Sequence, residues 1–189
     1  MELHTTFRLL RNHGACKPRY TLFRRRCREK GIKGDDTPIP LTVVLALNGL
    51  DDTLWALQAV LPQEASERDR ISVLFAADCG EHVLHIFERM YPDDPRPRQA
   101  IEEARRLSIG QAAPSELAAA WDVASNAAGA ARDAARAAAW AAGWAAVAAA
   151  RDAGAAAWPA VDAAGVAARD AEVAWQQARL HSYLAGEAR

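Results

Sequence analysis

"ERDRISVLFAADCGEHVLHIFERMY", residues 67–91, is the longest periodic segment of the chain. Ile71, Leu74, Phe75, Cys79, His82, Val83, Ile86 and Phe87 recur in it near steps of three and four. On a helix of 3.6 residues per turn that spacing makes one apolar stripe, which must face a core. Gly80 interrupts the stripe at a cost of about 1 kcal/mol against alanine. The segments on either side also read as helices, and the expected class is all-α.

Downstream, "YPDDPRPRQAIEEARRL" (91–107) reads as a stop and restart, with Asp94 as cap and Pro95 in the first helical position. Upstream, "DTPIPLTVVLALNG" (36–49) predicts a helix capped by Thr37, begun by Pro38 and ended by Asn48-Gly49. Its β-branched residues make a strand the competing reading. "LDDTLWALQAV" (50–60) predicts a second helix, capped by Asp51 or Asp52, so a two-helix hairpin turns across Asn48–Asp51. Residues 37–110 are thus expected to form a core of short helices.

Charge separates the first 36 residues from the rest. Residues 1–34 hold ten Lys/Arg and two Glu, a net of +8, and the remainder carries −9. The basic stretch peaks in "RRRCREK" (24–30), on a helix expected from about Pro18 to Lys30 and ended by Gly31. Arg24, Arg25, Arg26 and Arg28 are candidate phosphate contacts, with Tyr20 and Phe23 placed to stack on bases. No nucleic-acid motif accompanies them. The other reading makes this basic arm a mate for the acidic remainder of the same molecule.

Residues 111–189 are a different material. Of the 64 residues from Ala112 to Trp175, 33 are alanine, the best helix former. A helical hairpin is expected, from about Pro114 to Ala153 and from about Ala160 to Leu184, with Gly154, Pro159 and Gly165 as candidate breaks. Within it, "ARAAAWAAGWAAVAAARDAG" (135–154) has only fourteen uncharged residues between its arginines, short of the roughly 20 a membrane span needs. Trp140 and Trp144 stand four apart and share one helix face. They either pack inside the hairpin or present an indole ridge to a partner protein or to a second copy in a homodimer.

Few groupings carry chemistry. Asp78, His82 and His85 share a helix face at i, i+4 and i+7, a metal-ligand spacing. Zinc sites draw ligands from two elements, and no second Cys/His pair appears, so a histidine held by a carboxylate is expected and neither metal nor cofactor is assigned. A P-loop, G-x-S-x-G and HExxH are all absent, and the chain is read as a non-enzyme. The pairs Asp51-Asp52 and Asp93-Asp94 sit at helix starts, where capping explains them. Three cysteines make no disulfide framework, and "MELHTTFRLLRNHG" lacks the apolar core of a signal peptide. A cytoplasmic setting follows.

Several stretches resemble the Ala/Trp-rich putative immunity proteins of bacteria and phages. They are Pro38-Ile39-Pro40-Leu41, "NGLDDTLWAL" (48–57), "DCGEHVL" (78–84) and, most specifically, "YPDDPRPRQAIE" (91–102). Trp175-Gln176, Arg179-Leu180 and Tyr183-Leu184 are similar to that family's closing helix. The likeness runs from about residue 37 onward; the arginine cluster before Gly31 departs from it. The resemblance implies an all-helical, non-enzymatic protein that neutralises a protein partner. That partner is a toxin or, for phage-borne members, host defence machinery such as a CRISPR effector. The expected partner surface combines Asp51, Asp52, Asp93 and Asp94 with the indoles of Trp140 and Trp144. Such an acidic face mimics nucleic acid to a nucleic-acid-binding target.

Overall fold

A computed structural model describes residues 2–110 and 158–188. Its elements are β1 (His4–Thr5), α1 (Phe7–Asn12), α2 (Lys17–Glu29), β2 (Ile39–Pro40), α3 (Leu41–Asn48), α4 (Leu50–Ala56), α5 (Ala65–Met90), α6 (Arg96–Ser108) and α7 (Trp158–Leu184), with 3-10 turns at Leu57–Ala59 and Pro62–Glu64. Among the described residues the protein is all-α apart from one two-stranded ribbon. No described helix is long and apolar enough to cross a membrane. The chain divides into two units, Met1–Ser72 with Trp175–Arg189, and Val73–Ala174.

In the first unit β1 pairs antiparallel with β2, Thr5 opposite Ile39. Its other side bridges to Val60, and the Thr5 hydroxyl donates to the Ala59 carbonyl at 2.6 Å. The buried Glu64 accepts the His4 backbone N–H at 2.6 Å and lies 3.0 Å from His4 Nδ1. Thr6 then caps α1, accepting the Leu9 N–H at 3.1 Å, a bond worth about 1 kcal/mol. Phe7, 1% exposed, meets Tyr20 and Phe23 of α2 edge-on, with centroids 6.2 and 5.9 Å away. Leu180, Tyr183 and Leu184, from the end of α7, are buried as well.

Three expectations are corrected here. The helix expected from Pro38 begins at Leu41, because Ile39 and Pro40 are taken by β1. Thr37 caps nothing: its hydroxyl turns back to the Lys33 carbonyl. The hairpin at Asn48–Asp51 forms, but Gly49 is the cap of α4, at φ +83° and ψ −174°, a backbone that glycine alone adopts freely. Asp51 and Asp52 lie in the first turn, where their charge meets the helix dipole without capping.

In the second unit α5 and α6 pack around Ala77, Leu84, Ile101 and Ala104. Gly80 sits where an added Cβ would lie 3.4 Å from Ile101 Cδ1, so the two helices come close there. The expected stripe on α5 is nearly right. Ile71, Leu74, Phe75 and Phe87 are buried, but His82 is exposed, and Leu84 and Asp78 are buried in its stead. The Arg105 guanidinium reaches across from α6 and donates to Asp78 at 2.9 Å and to Glu81. That bond satisfies the buried carboxylate, which burial alone would penalise. α7 starts at Trp158, with Pro159 in its first turn, and passes through Gly165 unbroken. The first arm of the expected hairpin lies outside the described residues.

Candidate functional site

The four candidate aspartates divide into two kinds. Asp52 receives the Arg19 guanidinium at 2.9 Å and the Asn48 side-chain amide at 2.8 Å. Asp94 receives the Arg96 backbone N–H at 3.1 Å and its guanidinium at 2.8 and 2.6 Å. The Arg96 side chain holds the Asp94 carboxyl down to about 2. These two carboxylates fix local structure. Asp51 and Asp93 are exposed and, among the described residues, unpaired.

The exposed Asp51 lines a cavity of about 230 Å³ in the first unit. Leu10, Phe23 and Val44 give it an apolar lining, and Tyr20 and Trp55 add aromatic rings. Asp52, Arg19 and Cys16 complete the part that matters chemically. Cys16 is exposed, whereas Cys27 is buried and Cys79 half-buried. Burial pushes the Cys27 thiol up to about 11 and the Cys79 thiol up to about 12. Trp55 was open to detection in the sequence, being i+4 from Asp51 and so on the same face of α4. Arg19 and Tyr20 were not, because they reach the cavity from α2.

The arginines of α2 face different ways. Arg24 donates to Asp35 at 2.6 Å and lies 5.3 Å over the Phe7 ring. Arg26 donates to the Leu47 carbonyl at the end of α3. Arg25 and Arg28 are exposed, and Arg25 lies 4.0 Å from Glu29. Arg8 and Arg11 pair with Asp36 and Asp35. Much of the basic stretch is therefore matched by acids next to it.

Asp78, His82 and His85 do not converge. Asp78 is held by Arg105, His82 Nε2 lies 3.2 Å from Glu172 Oε2, and His85 Nδ1 is 3.1 Å from the His82 carbonyl. Among the described residues no three His, Cys, Asp or Glu side chains are grouped to hold a metal ion. Trp140 and Trp144 lie outside the described residues.

The most specific stretch of the resemblance, residues 91–102, forms the turn between α5 and α6 and the start of α6. A family model described as Imm-5 like putative immunity protein matches residues 63–183, from just before α5 almost to the end of α7. No curated protein and no solved structure matches alongside it. Matched over well more than half its length, the chain belongs to the Imm-5 like putative immunity protein family.

Proposed function

We propose that the protein is a non-enzymatic inhibitor of immunity type, which neutralises another protein by binding it. Family membership over residues 63–183 carries this reading, since the family description names an immunity function and immunity requires a protein to be neutralised. The partner is a toxin; for a phage-borne chain it is host defence machinery such as a CRISPR effector. Three free thiols support action in the cytoplasm.

Within the expected partner surface, Asp51 and Asp93 are the acids that a partner can reach, because Asp52 and Asp94 already hold Arg19 and Arg96. Unpaired rim charges steer association and set its salt dependence. The indoles Trp140 and Trp144 are proposed as the apolar anchors of the same interaction.

The test is co-expression with the toxin or effector encoded beside the gene, scored as survival or as effector activity. The wild-type chain is expected to restore growth and to co-purify with that protein. Asp51→Lys with Asp93→Lys is expected to weaken capture by about tenfold, with the change mainly in association rate and salt dependence. A wild-type chain that gives neither rescue nor complex would overturn the immunity reading. Unchanged capture by the folded double variant would remove the two aspartates from the surface.

A further inference from the structure

We propose that the cavity between α1, α2, α3 and α4 is a docking pocket for one arginine side chain presented by a partner protein. Its aliphatic stem would lie against Tyr20 and Trp55, above the buried Leu10, Phe23 and Val44, and its guanidinium would meet Asp51. All the lining residues fall between positions 10 and 56, upstream of the family match at 63–183. Five of them, Asn48, Asp51, Asp52, Trp55 and Ala56, lie in "NGLDDTLWAL" (48–57), one of the stretches that resemble the family.

Size favours a single side chain over a drug-sized ligand. The cavity of about 230 Å³ is smaller than the roughly 300–1,000 Å³ of small-molecule sites. Charge then selects among side chains. Arg19, the lining cation, is committed to Asp52, whose side chain is only 19% exposed. Asp51 is an exposed carboxylate with no partner among the described residues, so an acidic side chain is disfavoured beside it. A purely apolar one would suit the lining but would cover Asp51 without pairing it, and burying an unpaired carboxylate is costly. A cation with an apolar stem meets both demands. Arginine meets them better than lysine, because its flat guanidinium both pairs with a carboxylate and stacks on rings such as Trp55 and Tyr20. Arginine is also among the residues that dominate binding energy at protein interfaces.

The proposal rests on the reading that the protein binds a protein partner. Its test uses short peptides alone, so the pocket and the immunity reading fail separately. Cys16 lines the pocket and is exposed, which makes it a built-in reporter. The full chain is alkylated with iodoacetamide, and the rate at each cysteine is read by peptide mass spectrometry. Cys27 and Cys79, more buried and with raised thiol pKa values, serve as internal references.

The probes are the capped tripeptides Leu-Arg-Leu and Leu-citrulline-Leu, the second being a neutral near-isostere. With a dissociation constant of about 1 mM, the arginine peptide at about 10 mM should slow alkylation of Cys16 roughly tenfold. The reference cysteines should not change, and the citrulline peptide should protect far less. Asp51→Asn, checked for folding by circular dichroism, should make the two peptides equivalent. If that variant does not fold, the two-peptide comparison on the wild-type chain decides alone. Equal protection by both peptides on the wild-type chain, or none by the arginine peptide, would overturn the proposal. So would a Cys16 that resists alkylation in the free chain, since the pocket would then already be covered.

Discussion

Asp94 shows how a single half-buried residue ties a loop to a helix start. Its carboxylate accepts the N–H of Arg96, the first residue of α6, and pairs with the same residue's guanidinium. Both bonds favour the charged form, so the folded pKa falls from 3.8 to about 2. A lowered acid pKa means that the stabilisation is complete above the ordinary value and is lost as pH falls through the folded one. The window is therefore from about 4 down to about 2. Glu67, lowered by its hydrogen bond from Arg70, acts with the same sign. Asp94→Asn should lower the melting temperature at pH 7 by about 2 °C, the scale of one exposed ion pair. The difference from wild type should shrink to a small part of that at pH 2, where about half of the folded carboxyl is still charged. Melting curves of the two proteins at both values check this, and a gap undiminished at pH 2 would assign the effect to the neutral hydrogen bonds.

Among the elements, α5 and the α3–α4 hairpin use glycine for opposite reasons. Gly80 lies in regular helix and leaves ordinary van der Waals room, with Ile101 carbons 3.4 and 3.5 Å from an added Cβ. Gly80→Ala should therefore stabilise the protein by about 0.5–1 kcal/mol through helix propensity. A leucine there would overpack against Ile101 and cost about 1–3 kcal/mol. Gly49, at φ +83°, occupies a backbone region closed to other residues, so Gly49→Ala should cost about 1–3 kcal/mol. Denaturant midpoints read all three, and a stabilising Gly49→Ala would contradict the strained turn. Where local signals were complete, the elements were legible: Pro18 and Gly31 bracket α2 to within a residue or two. The start of α3 was not, because β2 exists only through pairing with His4–Thr5, some 35 residues away. The site divides likewise. The acidic pairs were visible, but which acid of each pair is free depends on Arg19 and Arg96, and the sequence does not show where their guanidiniums point. The exposure of His82 follows the same rule, its partner Glu172 being on α7.

For the molecule as a whole, part of the uneven charge resolves within the chain. The first 34 residues carry +8 and the remainder −9. Arg8, Arg11 and Arg24 are matched by Asp35 and Asp36 immediately after that stretch, and Arg19 by Asp52. A basic segment whose guanidiniums are held this way has fewer to offer phosphates, so its substitutions should act on stability first. Arg24 and Arg26 sit in partly buried bonds to Asp35 and to the Leu47 carbonyl. Removing both leaves Asp35 with Arg11 as its remaining guanidinium and takes the Arg26 donor from the Leu47 carbonyl, and hydrogen bonds to charged groups are worth about 1.5–3 kcal/mol each. Arg24→Ala with Arg26→Ala should therefore cost about 2 kcal/mol or more. Arg25→Ala with Arg28→Ala, on the exposed side of α2, should stay within about 0.5 kcal/mol. Urea melts of the two double variants give the comparison, and a mobility-shift titration at low salt accompanies them. If the exposed pair governs a DNA shift that falls steeply with salt, the arm is a nucleic-acid surface after all. If the inward pair lowers stability and no shift is seen, the arm's charge belongs to the fold.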